Sequence, residues 1–72
     1  MILPASLKRI ESGAFDGIGA EAVFIPAGCE YIGSGAFVNC GSLVYVEYYE
    51  GTKVEADAFE KKAGLQIKVR QR

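Results

Sequence analysis

Three sets of residues in this chain have types that could do chemistry. Cys29 and Cys40 are its two cysteines, Gly17-Ile18-Gly19-Ala20-Glu21-Ala22 spells the G-x-G-x-x-A of a dinucleotide site, and Asp57 and Glu60 stand three residues apart. Each set lacks the surroundings its chemistry requires. A reactive thiol needs a basic neighbour to lower its pKa, and neither cysteine has one beside it in sequence. Neither shows the spacing of a zinc or redox motif. The glycine motif works between a strand and a helix, whereas an apolar strand-like run, Ala22-Val23-Phe24-Ile25, follows it here. The two carboxylates would share one helix face at i, i+3, which is ordinarily a solvated face. There is no histidine, which removes the commonest general base and the most frequent metal ligand. The expectation is a chain that is not an enzyme, with no catalytic, cofactor-binding or metal-binding residues and no cofactor.

The elements that would position these residues follow a period. Gly13-Ala14-Phe15 returns as Gly35-Ala36-Phe37 and, more loosely, as Asp57-Ala58-Phe59, each step being 22 residues (35 − 13 and 57 − 35). The same shift places Pro4 on Pro26, Ile10 on Ile32 and Val54, and Ser12 on Ser34. A fixed period of this length is the mark of a stacked-coil architecture, in which each coil buries its apolar face on the next. Such stacks present binding surfaces more often than catalytic pockets. Cys29 and Cys40 are half a period apart, which sets them on opposite walls of a coil, beyond the reach of a disulfide. Two buried free thiols are expected.

Ala22–Ile25 and Leu43-Val44-Tyr45-Val46-Glu47-Tyr48-Tyr49 read as strands, β-branched and aromatic and bounded by Pro26 and Gly51. Alternation puts Val23, Ile25, Val44, Val46 and Tyr48 inside and Phe24, Tyr45, Glu47 and Tyr49 outside. A second, shorter extended piece follows each proline, at 7–10 and 29–32. The third copy reads differently. Thr52 and Glu55 form a capping box, residues 53–63 contain neither Gly nor Pro, and Gly64 occupies the position after a helix end. This predicts a helix of about three turns. Leu65, Ile67 and Val69 would then face inward on a last strand.

Copy 2 closely resembles the BspA-like leucine-rich repeat, at Ile32, Gly33, Ala36, Phe37, Cys40 and Leu43, with Val46 in place of Ile and Ile25-Pro26 opening the coil. Copy 1 agrees at Pro4, Leu7, Ile10, Ala14 and Phe15, carries Ile18 in place of the cysteine, and is one residue short before Val23. The expected fold is an α+β short solenoid. Its leucine-rich-repeat-like coils carry short parallel strands, followed by a C-terminal capping helix and a final strand. It forms a single domain over 1–72, with copy 1 at about 3–24, copy 2 at about 25–46 and a cap at 47–72. The resemblance implies a surface or secreted bacterial protein engaged in adhesion and protein–protein contact, with no catalytic residues.

Composition is consistent with a binding role. The net charge of −1 offers no field for nucleic acid. No apolar run approaches the ~20 residues that cross a bilayer, and residues 1–6 lack the basic-then-apolar pattern of a signal peptide. The basic C-terminal stretch, Lys61, Lys62, Lys68, Arg70 and Arg72, reads as a solvated end. The expected contact face is the wet side of the longer strands: Phe24, Tyr45, Glu47 and Tyr49, flanked by Lys68 and Arg70, against a protein partner such as a host or cell-surface protein. The alternative is a purely structural cap that closes a longer solenoid. An N-terminal end offering Ile2, Leu3 and Leu7 without a cap would then self-associate.

Overall fold

The computed structural model describes residues 1–60 and 62–72. Six short strands form: β1 (Arg9–Ile10), β2 (Ala22–Phe24), β3 (Tyr31–Ile32), β4 (Tyr45–Tyr49), β5 (Lys53–Val54) and β6 (Gln66–Arg70). They assemble into two parallel sheets, β1-β3-β5 and β2-β4-β6. Parallel pairing of sequence-distant strands is what a repeat requires, since equivalent segments of successive coils run the same way. The Gly-Ala-Phe segments make a third side. Phe15 N–H donates to the Ala36 carbonyl at 2.9 Å, and Phe37 N–H to that of Ala58 at 2.8 Å. The result is a short three-sided solenoid.

Glycine has a steric role where the coils come closest. Gly13 and Gly35 hold the same left-handed turn, with φ of 70° and 68°, a conformation that costs other residues free energy. A Cβ on Gly33 would lie 2.6 Å from the backbone nitrogen of Ser12.

The core is the recurring apolar set. Ile10, Val23, Ile25, Cys29, Ile32, Ala36, Phe37, Cys40, Leu43, Val46, Ala58 and Phe59 are all buried. Val23 and Ile25 point inward and Phe24 outward, as alternation predicts. Both cysteines are free and buried. The Cys40 thiol donates to the Val38 carbonyl at 3.3 Å, and that of Cys29 to the Tyr31 carbonyl at 3.5 Å. The three phenylalanines stack as a ladder, with ring centroids 5.2 Å apart for Phe15–Phe37 and 5.4 Å for Phe37–Phe59.

The expected capping helix does not form: no described residue is helical, and Lys61, within the expected helix, lies outside the described residues. Residues 53–60 instead repeat the coil. Lys53 N–H donates to the Glu30 carbonyl at 3.0 Å and Glu55 N–H to that of Ile32 at 3.1 Å. The capping-box side chains are redirected across coils. Thr52 Oγ1 donates to the Cys29 carbonyl at 2.8 Å, and Glu55 Oε2 accepts from the Tyr31 hydroxyl at 3.0 Å. A local cap is worth about 1 kcal/mol, too little against a ladder of inter-coil bonds and a buried Phe59. Gly64 still adopts a positive φ, 88°, but in a turn that leads into β6.

Three inward assignments also change. Val44 is 53% exposed. Copy 2 is longer than both neighbours at this side: Tyr45 pairs Ala22, 23 residues back (45 − 22), and Gln66, 21 ahead (66 − 45). Val44 and Tyr45 both donate to the one carbonyl of Glu21, at 2.9 and 3.3 Å. Two residues opposite one is how a bulge absorbs a surplus, and the alternation starts afresh at Tyr45. Ile67 and Val69 lie in register with Val46 and Tyr48, but are 47% and 49% exposed. β6 is an edge strand of its sheet, and among the described residues no further coil covers it.

Candidate functional site

The sheet β2-β4-β6 brings the four expected contact residues onto one outward face. Its register sets Phe24 beside Glu47 and Glu47 beside Lys68, and Tyr49 beside Arg70. Phe24 and Tyr45 meet ring to ring at 5.9 Å, tilted by 52°, a geometry that aromatic quadrupoles favour. The Tyr45 hydroxyl donates to Glu47 Oε1 at 2.8 Å, and Arg70 Nη1 reaches Glu47 Oε2 at 3.5 Å. Glu47 therefore links the aromatic pair to the basic end of β6. The bond to Glu47 holds the Tyr45 phenol above its ordinary range, and partial burial adds to the effect. Phe24 is 38% exposed, whereas Tyr45, Glu47 and Tyr49 are half-buried. The face is therefore a surface partly held by contacts among its own side chains.

The candidate chemistry of the other residues is taken up by structure. Asp57 accepts from Ser34 Oγ at 2.7 Å, and Glu60 from the Asn39 amide at 2.8 Å, so the two carboxylates bridge coils and do not face each other on a helix. Gly17 sits in a turn with φ of 80°, and strand β2 follows it where a dinucleotide site needs a helix. Lys62 stands 22 residues after Cys40 (62 − 40) and donates to the carbonyls of Cys40 and Gly41 at 2.8 and 3.0 Å. Arg72 donates to the Glu50 carbonyl at 2.6 Å. Much of the basic C-terminal stretch thus ties down the last coil.

Two features escape a reading by strand alternation alone. On the sheet β1-β3-β5, the Arg9 guanidinium lies 4.5 Å from the Tyr31 ring centroid and pairs with Glu11 at 2.8 Å. That pairing holds the Glu11 carboxyl below its usual range. The 22-residue shift of Arg9 onto Tyr31 was the available signal, since neighbours in a parallel ladder touch. The second feature is an open hollow of about 240 Å³ in the third coil, lined by Tyr48, Val54, Glu55, Ala56, Phe59 and Ile67. In its lining, Val54 stands where the second copy has the larger Ile32.

No curated protein and no solved structure matches the chain. A family model described as the BspA type leucine-rich repeat region (6 copies) matches residues 1–70. With nearly the whole length matched, and with repeat, parallel ladders and core positions in agreement, the chain belongs to the BspA type leucine-rich repeat family.

Proposed function

We propose that this chain is a non-catalytic protein-interaction module that binds through the outer face of β2-β4-β6, with Phe24, Tyr45, Glu47 and Tyr49 as contact residues. One observation carries the reading. Phe24, Tyr45 and Glu47 are joined by the Phe24–Tyr45 ring contact and the Tyr45–Glu47 hydrogen bond, and Tyr49 stands on the same side of β4 beside Arg70. Aromatic side chains already fixed by neighbours lose little entropy on binding, and interface anchors are enriched in Tyr and other aromatics. Glu47 and Arg70 supply the polar rim that would set orientation. Membership of the family supports a protein partner. Adhesion at a bacterial cell surface, or after secretion, against a host or cell-surface protein, is the setting that fits it best.

The experiment compares wild type with Tyr45→Ser/Tyr49→Ser for binding to candidate surfaces or cells. The double variant should show the same far-ultraviolet circular dichroism as wild type, because neither ring is in the core. Binding should fall by at least tenfold, the loss of about 1.4 kcal/mol at an anchor pair. Unchanged binding by the folded double variant would remove the face from consideration. Self-association through the N-terminal end is a second use of the same fold, favoured in apolar terms by Ile2, which is 84% exposed.

A further inference from the structure

The outer side of β2-β4-β6 is not uniform. Its middle row runs across the strands as Ile2, Phe24, Glu47 and Lys68, each in register with the next. One neighbouring row holds Ala22, Tyr45 and Gln66, and the other pairs Tyr49 with Arg70. Apolar and aromatic groups therefore gather over β2 and β4, and cations over β6. Two strand spacings separate Phe24 from Lys68, roughly 9–10 Å between backbones.

The two signs of charge on this side differ in how they meet solvent. Glu47 is the one carboxylate in these rows, and its side chain is 15% exposed. The Tyr45 hydroxyl and Arg70 engage its two oxygens, at 2.8 and 3.5 Å. Lys68 is the direct register neighbour of Glu47, yet among the described residues its ammonium has no ion-pair or hydrogen-bond partner. Lys68 and Arg70 are both exposed. An approaching group thus meets two accessible cations and one shielded anion. These rows sum to +1 (2 − 1) in a chain whose net charge is −1, and the Gly-Ala-Phe side carries the acids Asp16, Asp57 and Glu60.

We propose that the outer side of β2-β4-β6 takes an acidic peptide segment, with an apolar or aromatic side chain over Phe24 and Tyr45 and a carboxylate, about 10 Å away, on Lys68. The proposal rests on the reading of this side as the interaction surface, and adds the chemistry of the partner. Lys68 gives up no internal partner on binding, so its attraction to an incoming carboxylate is not offset by a broken pair. Cations beside aromatic rings also serve nucleic acid, but two features favour a peptide. Two cations flanking a carboxylate neutralise few phosphates. Phe24 and Tyr45 are tilted against each other by 52°, which gives successive bases no common platform for stacking.

The probe is a library of random peptides displayed on phage and selected on the wild-type chain at low salt. The recovered sequences are then made as free peptides and titrated. They should be rich in Asp and Glu and carry an aromatic or large aliphatic residue. Lys68→Glu should weaken their binding by on the order of tenfold and Lys68→Gln by about threefold, with high salt shrinking both losses. If Lys68→Glu does not fold by circular dichroism, Lys68→Gln alone provides the test. Glu47→Gln keeps an acceptor for the Tyr45 hydroxyl while removing the negative charge. It should strengthen binding by about twofold, a direction that a structural defect would not produce. Recovered peptides that are neutral or basic, or acidic ones that bind folded Lys68→Gln as tightly as wild type, overturn the acidic partner. If such peptides still lose affinity for Tyr45→Ser/Tyr49→Ser, the interaction face itself stands; peptides indifferent to all of these variants remove the face as well. A library that yields no binder, or a single-stranded DNA oligonucleotide bound more tightly than any recovered peptide, also overturns the proposal.

Discussion

Replacing Phe37 by Ala tests whether the returning phenylalanine is a peg in the core or part of a site. Phe37 is 1% exposed and stacked on both faces, at 5.2 Å from Phe15 and 5.4 Å from Phe59. Truncating a buried Phe costs about 3–5 kcal/mol, and two ring partners place this one at the upper end. A chain of this length has a total stability of roughly 4–11 kcal/mol at the usual 0.05–0.15 per residue. Phe37→Ala should therefore remove about half of it or more. The two end rings should cost less. Phe59, 7% exposed with Tyr48 as a second neighbour at 6.4 Å, should lose about 2–3 kcal/mol, and half-buried Phe15, with one ring partner, about 1–2. The assay is urea unfolding followed by circular dichroism, with the midpoint read at constant m. The order Phe37, Phe59, Phe15 is the prediction. Equal costs at Phe15 and Phe37 would refute the ladder as the source of the stability. Lost binding with unchanged stability would make the rings a site.

Gly33→Ala places a Cβ 2.6 Å from backbone of the first coil, which cannot rotate away. Coils 1 and 2 must separate, at a cost of about 1–3 kcal/mol in the same urea assay. Val54→Ile adds one methylene toward the hollow that Val54 lines, so it should stabilise by up to ~0.8 kcal/mol and raise the thermal midpoint. Tyr31 and Tyr45 both have pKa values raised above 10.0, first by hydrogen bonds to Glu55 and Glu47 and then by burial. A raised folded-state value means the contribution is complete below the unfolded value and is lost as pH rises through the folded one. Stability should therefore decline above about pH 10, and the Tyr31→Phe/Tyr45→Phe double variant should show a shallower alkaline decline than wild type.

The copies were not equally legible in sequence. Copies 1 and 2 could be read because every coil faces the same core, so apolar types recur at fixed offsets. That recurrence placed Ile10, Ile32, Phe37 and Cys40 inside, alternation placed Val23 and Ile25 there, and all of these are buried. Copy 3 misled because its local signals conflict with its place in the stack. Thr52 and Glu55 have the spacing of a helix cap, yet both are spent on coil-to-coil hydrogen bonds. Val44 misled for a related reason: alternation assumes an uninterrupted strand, and the surplus residue of copy 2 breaks it just before Tyr45. The candidate contact face was legible as a parity, with Phe24, Tyr45, Glu47 and Tyr49 on the outside. The bonds that knit it together across strands were not.

By itself the sequence determined the period, the family pattern, the apolar set that makes a core and the want of any histidine-based chemistry, because these depend on residue type and spacing alone. The tertiary structure decided whether residues 53–60 coil or form a helix, where the surplus residue goes, and which charges share a register. Those outcomes depend on what the neighbouring coil offers. An inter-coil ladder supplies many hydrogen bonds and buried contacts at once, and a single local cap cannot match their sum.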